Sequence, residues 1–210
     1  MSPMRLAAVF TVLLSAELAA AVPVAFQFDS ITNSPAPAVL SSAPILGSGD
    51  LEFDASGNLL SGQLSLSPYA IVFDVDGDGY YDVQFDTTSF MQTLAPAAMI
   101  AGAIDLAGGT GSASNSCTVL PAAPPGTACS GGSGMAFGAD SSQSTSVATL
   151  VFTRFGSPTD VAGTITWVIT ATTGNVQTRA YSFATLPEPS EVTLLAVPLA
   201  LAWYVARRRG

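Results

Sequence analysis

The sequence contains no histidine and no lysine, and its six basic residues are all arginines. Without histidine, a serine or cysteine nucleophile has no imidazole to activate it, and without lysine the alternative amine base is missing as well. A zinc site of the usual type is disfavoured too, since only two cysteines are present. The composition therefore predicts a protein that is not an enzyme.

Positive charge is scarce in the central part of the chain. Between Val22 and Leu186, only Arg154 and Arg179 stand against twelve acidic residues, which gives a net charge of −10. Such a body would repel a polyphosphate backbone, so nucleic acid is not expected as a partner. An acidic surface suits a soluble extracellular protein or one that collects cations.

The N-terminus has the three parts of a secretory signal peptide. Met1 to Arg5 carries one positive charge, Leu6 to Ala16 is mostly apolar, and Ala19 to Ala21 supplies small residues for cleavage. We predict a signal peptide over residues 1–21, removed by signal peptidase after Ala21. The alternative is an uncleaved anchor, but the apolar stretch is shorter than the ~20 residues that a membrane span needs.

The C-terminus also has three parts in a fixed order. Pro187, Glu188 and Pro189 precede an uncharged stretch at 192–206, and an arginine cluster follows. As a helix, this stretch would rise only about 22 Å, against a hydrocarbon core of about 30 Å. Pro198 also interrupts it. This pattern indicates a temporary membrane segment, held with its arginines on the cytoplasmic side. The cluster consists of Arg207, Arg208 and Arg209.

Together these parts resemble the PEP-CTERM sorting signal, and the match covers residues 187–210 only. The resemblance implies a Gram-negative bacterium with an exosortase, a membrane transpeptidase that recognises the Pro-Glu-Pro and processes the tail. It also implies a setting of exopolysaccharide or biofilm production. The expected location is secreted or at the cell surface, with a transient or permanent C-terminal membrane anchor. An ordinary C-terminal anchor is the alternative.

The body, residues 22–186, is long enough for one domain with one core. Apolar and polar residues alternate in short runs separated by turn residues, and no amphipathic helix is evident. The prediction is an all-β domain, an antiparallel β-sandwich or jelly-roll-like fold. Its three last strands are expected to be consecutive and antiparallel, whereas residues 108–138 are expected to form a long loop. The predicted hairpins surround residues 54–58 and 74–82.

The segment 74–82 has the strongest chemical signal in the body. It places carboxylates at loop positions 1, 3, 5 and 9, and a glycine at position 6. Up to this point it resembles the calcium-binding loops of EF-hands and dockerins, although Phe85 stands where those loops place a bidentate glutamate. The alternative is a plain hairpin turn built from Asp-Gly pairs. The predicted calcium ligands are Asp74, Asp76, Asp78, the carbonyl of Tyr80, and Asp82.

Cys117 and Cys129 lie in a segment rich in glycine, serine and proline. In an exported protein, such a pair is expected to form a disulfide. A metal site with two cysteine ligands is the weaker alternative, because no third thiol or imidazole exists to complete it.

The leading functional hypothesis is a non-enzymatic surface or extracellular-matrix protein, sorted and processed through its tail. The alternative is a calcium-dependent carbohydrate-binding or adhesion module, which would use the acidic loop together with Tyr80 and Tyr81. A polysaccharide hydrolase with paired carboxylates comes third, since nothing in the sequence places two of them across a cleft.

Overall fold

The computed structural model of the chain describes residues 21–133, 143–155 and 159–186. The tail and the signal peptide, apart from Ala21, lie outside this part of the chain. The described residues form thirteen β-strands and no helix, so none of their elements is a helix that could cross a membrane. The strands are β1 (Ala21–Ser34), β2 (Ala38–Leu40), β3 (Ile45–Phe53), β4 (Leu59–Leu66), β5 (Tyr69–Phe73), β6 (Val83–Leu94), β7 (Met99–Ile100), β8 (Ala103–Asp105), β9 (Thr110–Val119), β10 (Gly132–Ser133), β11 (Gln143–Arg154), β12 (Val161–Ala171) and β13 (Val176–Thr185).

Hydrogen bonds join these strands into a single open antiparallel sheet. Its order is β10-β9-β6-β4-β3-β1-β13-β12-β11-β8-β7, and β5 pairs with both β2 and β6 beside this path. The predicted all-β, antiparallel class is confirmed, as are the consecutive strands β11, β12 and β13.

The sheet curls strongly, so that one of its faces encloses the core. Phe53 on β3 and Phe152 on β11 are separated by three intervening strands, which would place them about 19 Å apart in a flat sheet. Their rings nevertheless stack with centroids 4.3 Å apart. Phe28 contacts Tyr181 at 4.6 Å and Tyr69 at 5.4 Å on the same inner face. One continuous core therefore fills the curl.

Trp167 belongs to this core, as its place on an apolar strand face predicts. It is almost fully buried, and its indole Nε1 donates a hydrogen bond to Ser146 Oγ at 2.8 Å. Burial raises the pKa of the neighbouring core residue Tyr181.

The predicted loop over residues 108–138 is wrong for its first part, because β9 occupies Thr110–Val119. This strand pairs with β6 along nearly its whole length, from Thr93 opposite Thr110 to Val83 opposite Val119. Its small and polar residues have low strand propensity, but only one side of the strand needs apolar residues. The hydrogen-bonded pairing with the long strand β6 therefore makes this segment a strand despite its composition.

The alternation of Ile100, Gly102, Ile104 and Leu106 in the sequence predicts one strand, but a tight turn divides these residues. Ala101 and Gly102 both have positive φ, at 52° and 84°, as a two-residue hairpin requires. The turn separates β7 from β8 and leaves Leu106 buried beyond the hairpin.

The predicted hairpin at residues 54–58 is confirmed between β3 and β4. Asp54 Oδ1 accepts hydrogen bonds from the backbone N–H groups of Ser56 and Asn58, and its Oδ2 accepts one from the Asn58 side chain. The Asn58 side-chain bond is the main reason why the pKa of Asp54 lies below its usual value.

Candidate metal site and neighbouring cleft

The acidic loop, residues 74–82, connects β5 to β6, as the alternating pattern on either side predicts. The last pair of this ladder is Phe73 opposite Val83. Backbone bonds then close the base of the loop, since Asp82 N donates to Phe73 O at 2.8 Å and Asp74 N donates to Pro37 O at 2.9 Å. The loop is thus fixed at both ends of its nine residues.

Three of the predicted ligands lie together. One carboxylate oxygen from each of Asp74, Asp76 and Asp78 falls within 4.8 Å of the other two. Asp74 is buried, whereas Asp76 and Asp78 are exposed. Several carboxylate oxygens at the end of a fixed loop are what a hard cation such as Ca²⁺ binds.

Backbone N–H groups hold this arrangement. Both oxygens of Asp74 accept bonds, Oδ1 from Gly77 N at 2.6 Å and Oδ2 from Gly79 N at 3.0 Å. The two glycines have φ values of 79° and 92°, which other residues adopt only with strain. Each carboxylate oxygen has a further lone pair, so these bonds leave Asp74 able to bind a metal.

Asp82 lies outside the three-carboxylate group but directly against the loop. It is fully buried, and its Oδ2 accepts a hydrogen bond from Val75 N at 2.7 Å. Its Oδ1 is also buried and has no hydrogen-bond partner among the described residues. A buried carboxylate with an unpaired oxygen is costly, and a nearby cation is one way to offset that cost.

Tyr80 donates its backbone N–H to Asp78 Oδ1 at 2.8 Å, and its side chain is 67% exposed. The role of its carbonyl as a ligand stays a prediction. Phe85, at the position of the missing glutamate, packs its ring edge-on against Phe73 with centroids 5.6 Å apart. Asp86, the next acid, accepts a hydrogen bond from Gln84.

The disulfide between Cys117 and Cys129 is confirmed, with an S–S distance of 2.07 Å. Cys117 lies on β9 opposite Phe85 of β6. The bond therefore fixes the segment after β9 close to the strand that follows the acidic loop.

A cleft of about 410 Å³ opens beside the acidic loop. Its lining includes Phe73 and Phe85, which flank the loop, and residues of the paired strands β1 and β13. Tyr80 and Tyr81, which the sequence favoured as ligand contacts, are exposed and do not line it. Its polar lining residues are Asn33, Asn175, Gln177 and Arg179.

Sequence reasoning missed these polar residues, although a signal was present. Tyr181 and Phe183 on β13 point into the core, and continuing their alternation backwards reaches Arg179 and Gln177. The inward face of the strand thus changes from apolar to polar towards the cleft.

The sorting residues Pro187, Glu188, Pro189 and the arginine cluster 207–209 lie outside the described residues.

The chain matches no protein-family model, and neither a curated protein nor a solved structure is similar to it.

Proposed function

We propose that this chain is a non-enzymatic exported protein of a Gram-negative bacterium, sorted through its C-terminal tail and displayed at the cell surface or in the extracellular matrix. The tail pattern supports the sorting step, and the apolar N-terminus with its Ala-rich end supports export. The disulfide fits an oxidising compartment.

The observation that carries the proposal is the position of the two ends of the body. Leu186 N donates to Pro23 O at 3.0 Å, and Val24 lies opposite Thr185. The predicted signal peptide and the tail therefore join the body at one place, which we name the attachment end.

The acidic loop and the cleft lie at the other end of the same pair of strands. The β1–β13 ladder runs from the attachment end to Ser34 opposite Val176. Ten residues of extended strand span about 30 Å. A body held through its tail would thus present the loop and the cleft away from the membrane, as a displayed binding protein requires.

We further propose that the acidic loop binds calcium through Asp74, Asp76 and Asp78. The unpaired buried oxygen of Asp82 supports a cation here, because hydrogen bonds within the loop leave that charge uncompensated. Calcium in this role orders the loop and takes no part in a reaction.

Titration calorimetry of the folded protein with calcium chloride tests this site. We expect saturable binding of one ion, lost in the double variant Asp76→Asn, Asp78→Asn, since two hard anionic ligands become neutral amides. Magnesium is expected to bind more weakly, because an exposed and irregular loop does not provide its octahedral geometry. Absence of calcium-dependent heat in the native chain would remove the metal from the account.

We also propose that the curled sheet forms a two-layered, sandwich-like body. The stacking of Phe53 on Phe152 supports this arrangement, since it brings strands from distant parts of the sheet face to face.

The sorting proposal is tested in the host bacterium by comparing Glu188→Gln with Glu191→Gln. Glu188 is the acid of the Pro-Glu-Pro, whereas Glu191 is an acid three residues later and outside it. We expect Glu188→Gln to leave unprocessed protein in the membrane fraction and Glu191→Gln to be processed normally. Equal processing of both variants would contradict recognition through this motif.

A further inference from the structure

The cleft lies on the core side of the sheet, where a folded protein normally places apolar residues. Asn33 on β1 lies opposite Gln177 on β13, which in turn lies opposite the buried Ile169 on β12. Residues that face each other across an antiparallel pair project to the same side. Two amide side chains therefore stand on the inner face, where the core opens to solvent.

The next set of cross-strand neighbours, nearer the core, also places a polar residue of β13 on the inner face. Arg179 lies between the core residues Ile31 and Trp167 on its two neighbouring strands. Its guanidinium carbon lies 4.9 Å from the centroid of the Trp167 ring, and its Nε donates to Gln177 Oε1 at 2.6 Å. The cation and the amide are held in place by these contacts, so little ordering would be needed when a ligand binds.

Part of this polar lining has no hydrogen-bond partner among the residues that the structure describes. Asn33 donates to Ala36 O, and Gln177 accepts from Arg179. Within the described chain, Gln177 Nε2 and the side-chain amide of Asn175 make no hydrogen bond. Both amides line the cleft, so they are available to a bound molecule.

Another part of the cleft lining is aromatic. Phe73 and Phe85 are half-buried, line the cleft, and pack edge to face. A half-buried aromatic ring beside free amides offers an apolar surface and hydrogen-bonding groups to the same ligand. The volume of about 410 Å³ lies in the range of small-molecule sites.

We propose that this cleft is a binding site for a neutral saccharide. A sugar ring has an apolar C–H face that suits Phe73 and Phe85, and hydroxyl groups that both donate to and accept from amides. A polyanionic chain is disfavoured, because the body carries a net charge of −10 and the acidic loop adjoins the cleft. The site goes beyond the proposed display role and depends neither on tail processing nor on calcium as a ligand.

Titration calorimetry with neutral oligosaccharides of glucose, galactose, mannose and N-acetylglucosamine tests the site on the folded chain in millimolar calcium. At least one is expected to bind with a Kd below about 1 mM. Oligogalacturonate, which carries carboxylates on a similar ring, is expected to bind at least tenfold more weakly than that sugar.

Variants of the lining residues then test whether the saccharide binds in the cleft. Gln177→Ala removes a lining amide and Phe85→Leu removes a ring while keeping an apolar side chain, and each is expected to weaken binding at least tenfold. Gln63→Ala is the matched control, because Gln63 is an exposed amide on β4 that does not line the cleft. Circular dichroism confirms that each variant is folded.

Failure of every neutral probe to bind the native chain would overturn the proposal. It would also be overturned by stronger binding of oligogalacturonate, or by unchanged affinity in folded Gln177→Ala and Phe85→Leu. Calcium titration and C-terminal processing are measured without sugar. A negative result for saccharide binding therefore does not affect the tests of calcium binding and sorting.

Discussion

Asp82 is the residue on which we expect the proposed calcium ion to have the largest effect. Its carboxylate is fully buried at the base of the acidic loop, and one oxygen is satisfied only through Val75 N. The other oxygen is left without a hydrogen bond in the described chain. A buried carboxylate charge of this kind is expected to destabilise the fold when no cation is bound, and a nearby cation would offset the effect.

Neutralising this charge is therefore expected to affect the melting temperature differently with and without calcium. Asp82→Asn should keep or raise the melting temperature in EDTA, because an unpaired buried charge is removed, worth about 1–3 kcal/mol. It should also reduce the increase in melting temperature that calcium causes in the native chain. Differential scanning calorimetry with calcium and with EDTA measures both quantities.

Asp50→Asn is the control, since Asp50 is an exposed acid on β3 outside the loop. It is expected to leave the calcium-induced increase unchanged. An increase in Asp82→Asn as large as in the native chain would contradict a role for this carboxylate.

The grouping of Asp74, Asp76 and Asp78 was predictable, because alternate acids followed by glycine converge in a tight loop. The burial of Asp82 was not, since it depends on backbone bonds at the base of the loop, where Asp82 N donates to Phe73 O and Asp82 O accepts from Leu120 N. The polar side of the cleft escaped sequence reasoning for a similar reason. Alternation along β13 places Gln177 and Arg179 on the side of Tyr181, but the cleft on that side depends on the registers of β1, β12 and β13.

At the scale of elements, the disulfide holds a segment that has little other support. Cys117 belongs to β9, whereas Cys129 follows a turn-rich stretch. Within that stretch, two backbone hydrogen bonds join residues three positions apart, from Ala123 N to Leu120 O and from Thr127 N to Pro124 O. The covalent bond limits the freedom of this segment in the unfolded chain.

The double variant Cys117→Ser, Cys129→Ser is expected to lower the free energy of unfolding by about 3 kcal/mol, given a closed loop of this size. Urea denaturation measures this loss. Dithiothreitol should lower the stability of the native chain by a similar amount and leave the variant unchanged. A loss below about 0.5 kcal/mol, the usual effect of a surface substitution, would contradict a structural role for the bond.

Strands with strict alternation were predictable, and those that depend on a partner were not. Ile165, Trp167 and Ile169 identify β12 by sequence alone, because every second residue is large and apolar. In β9 only Ala113 is buried, and the pairing with β6 determines the strand. In β6, the alternation of Val83 and Phe85 predicts the start of the strand, whereas the spacing of Phe90 and Leu94 also fits a helix.

At the scale of the whole molecule, one curled sheet carries the attachment end and the cleft at opposite ends of the same strand pair. The β1–β13 pair joins them, with Leu186 bonded to Pro23 at the attachment end and Asn33 opposite Gln177 at the cleft. Local patterns predicted an antiparallel β-domain, but the order of strands in the sheet follows from long-range pairing. Pairs such as β1 with β13 leave no local trace in the sequence.

The central claim is that the chain is exported and sorted through its two ends. Intact-mass spectrometry of the protein recovered from the surface or medium of its native host tests this claim most directly. The account predicts a mature chain that begins at Val22 and has lost the segment after the Pro-Glu-Pro at 187–189, including the arginine cluster. A recovered chain that still extends from Met1 to Gly210 would contradict it.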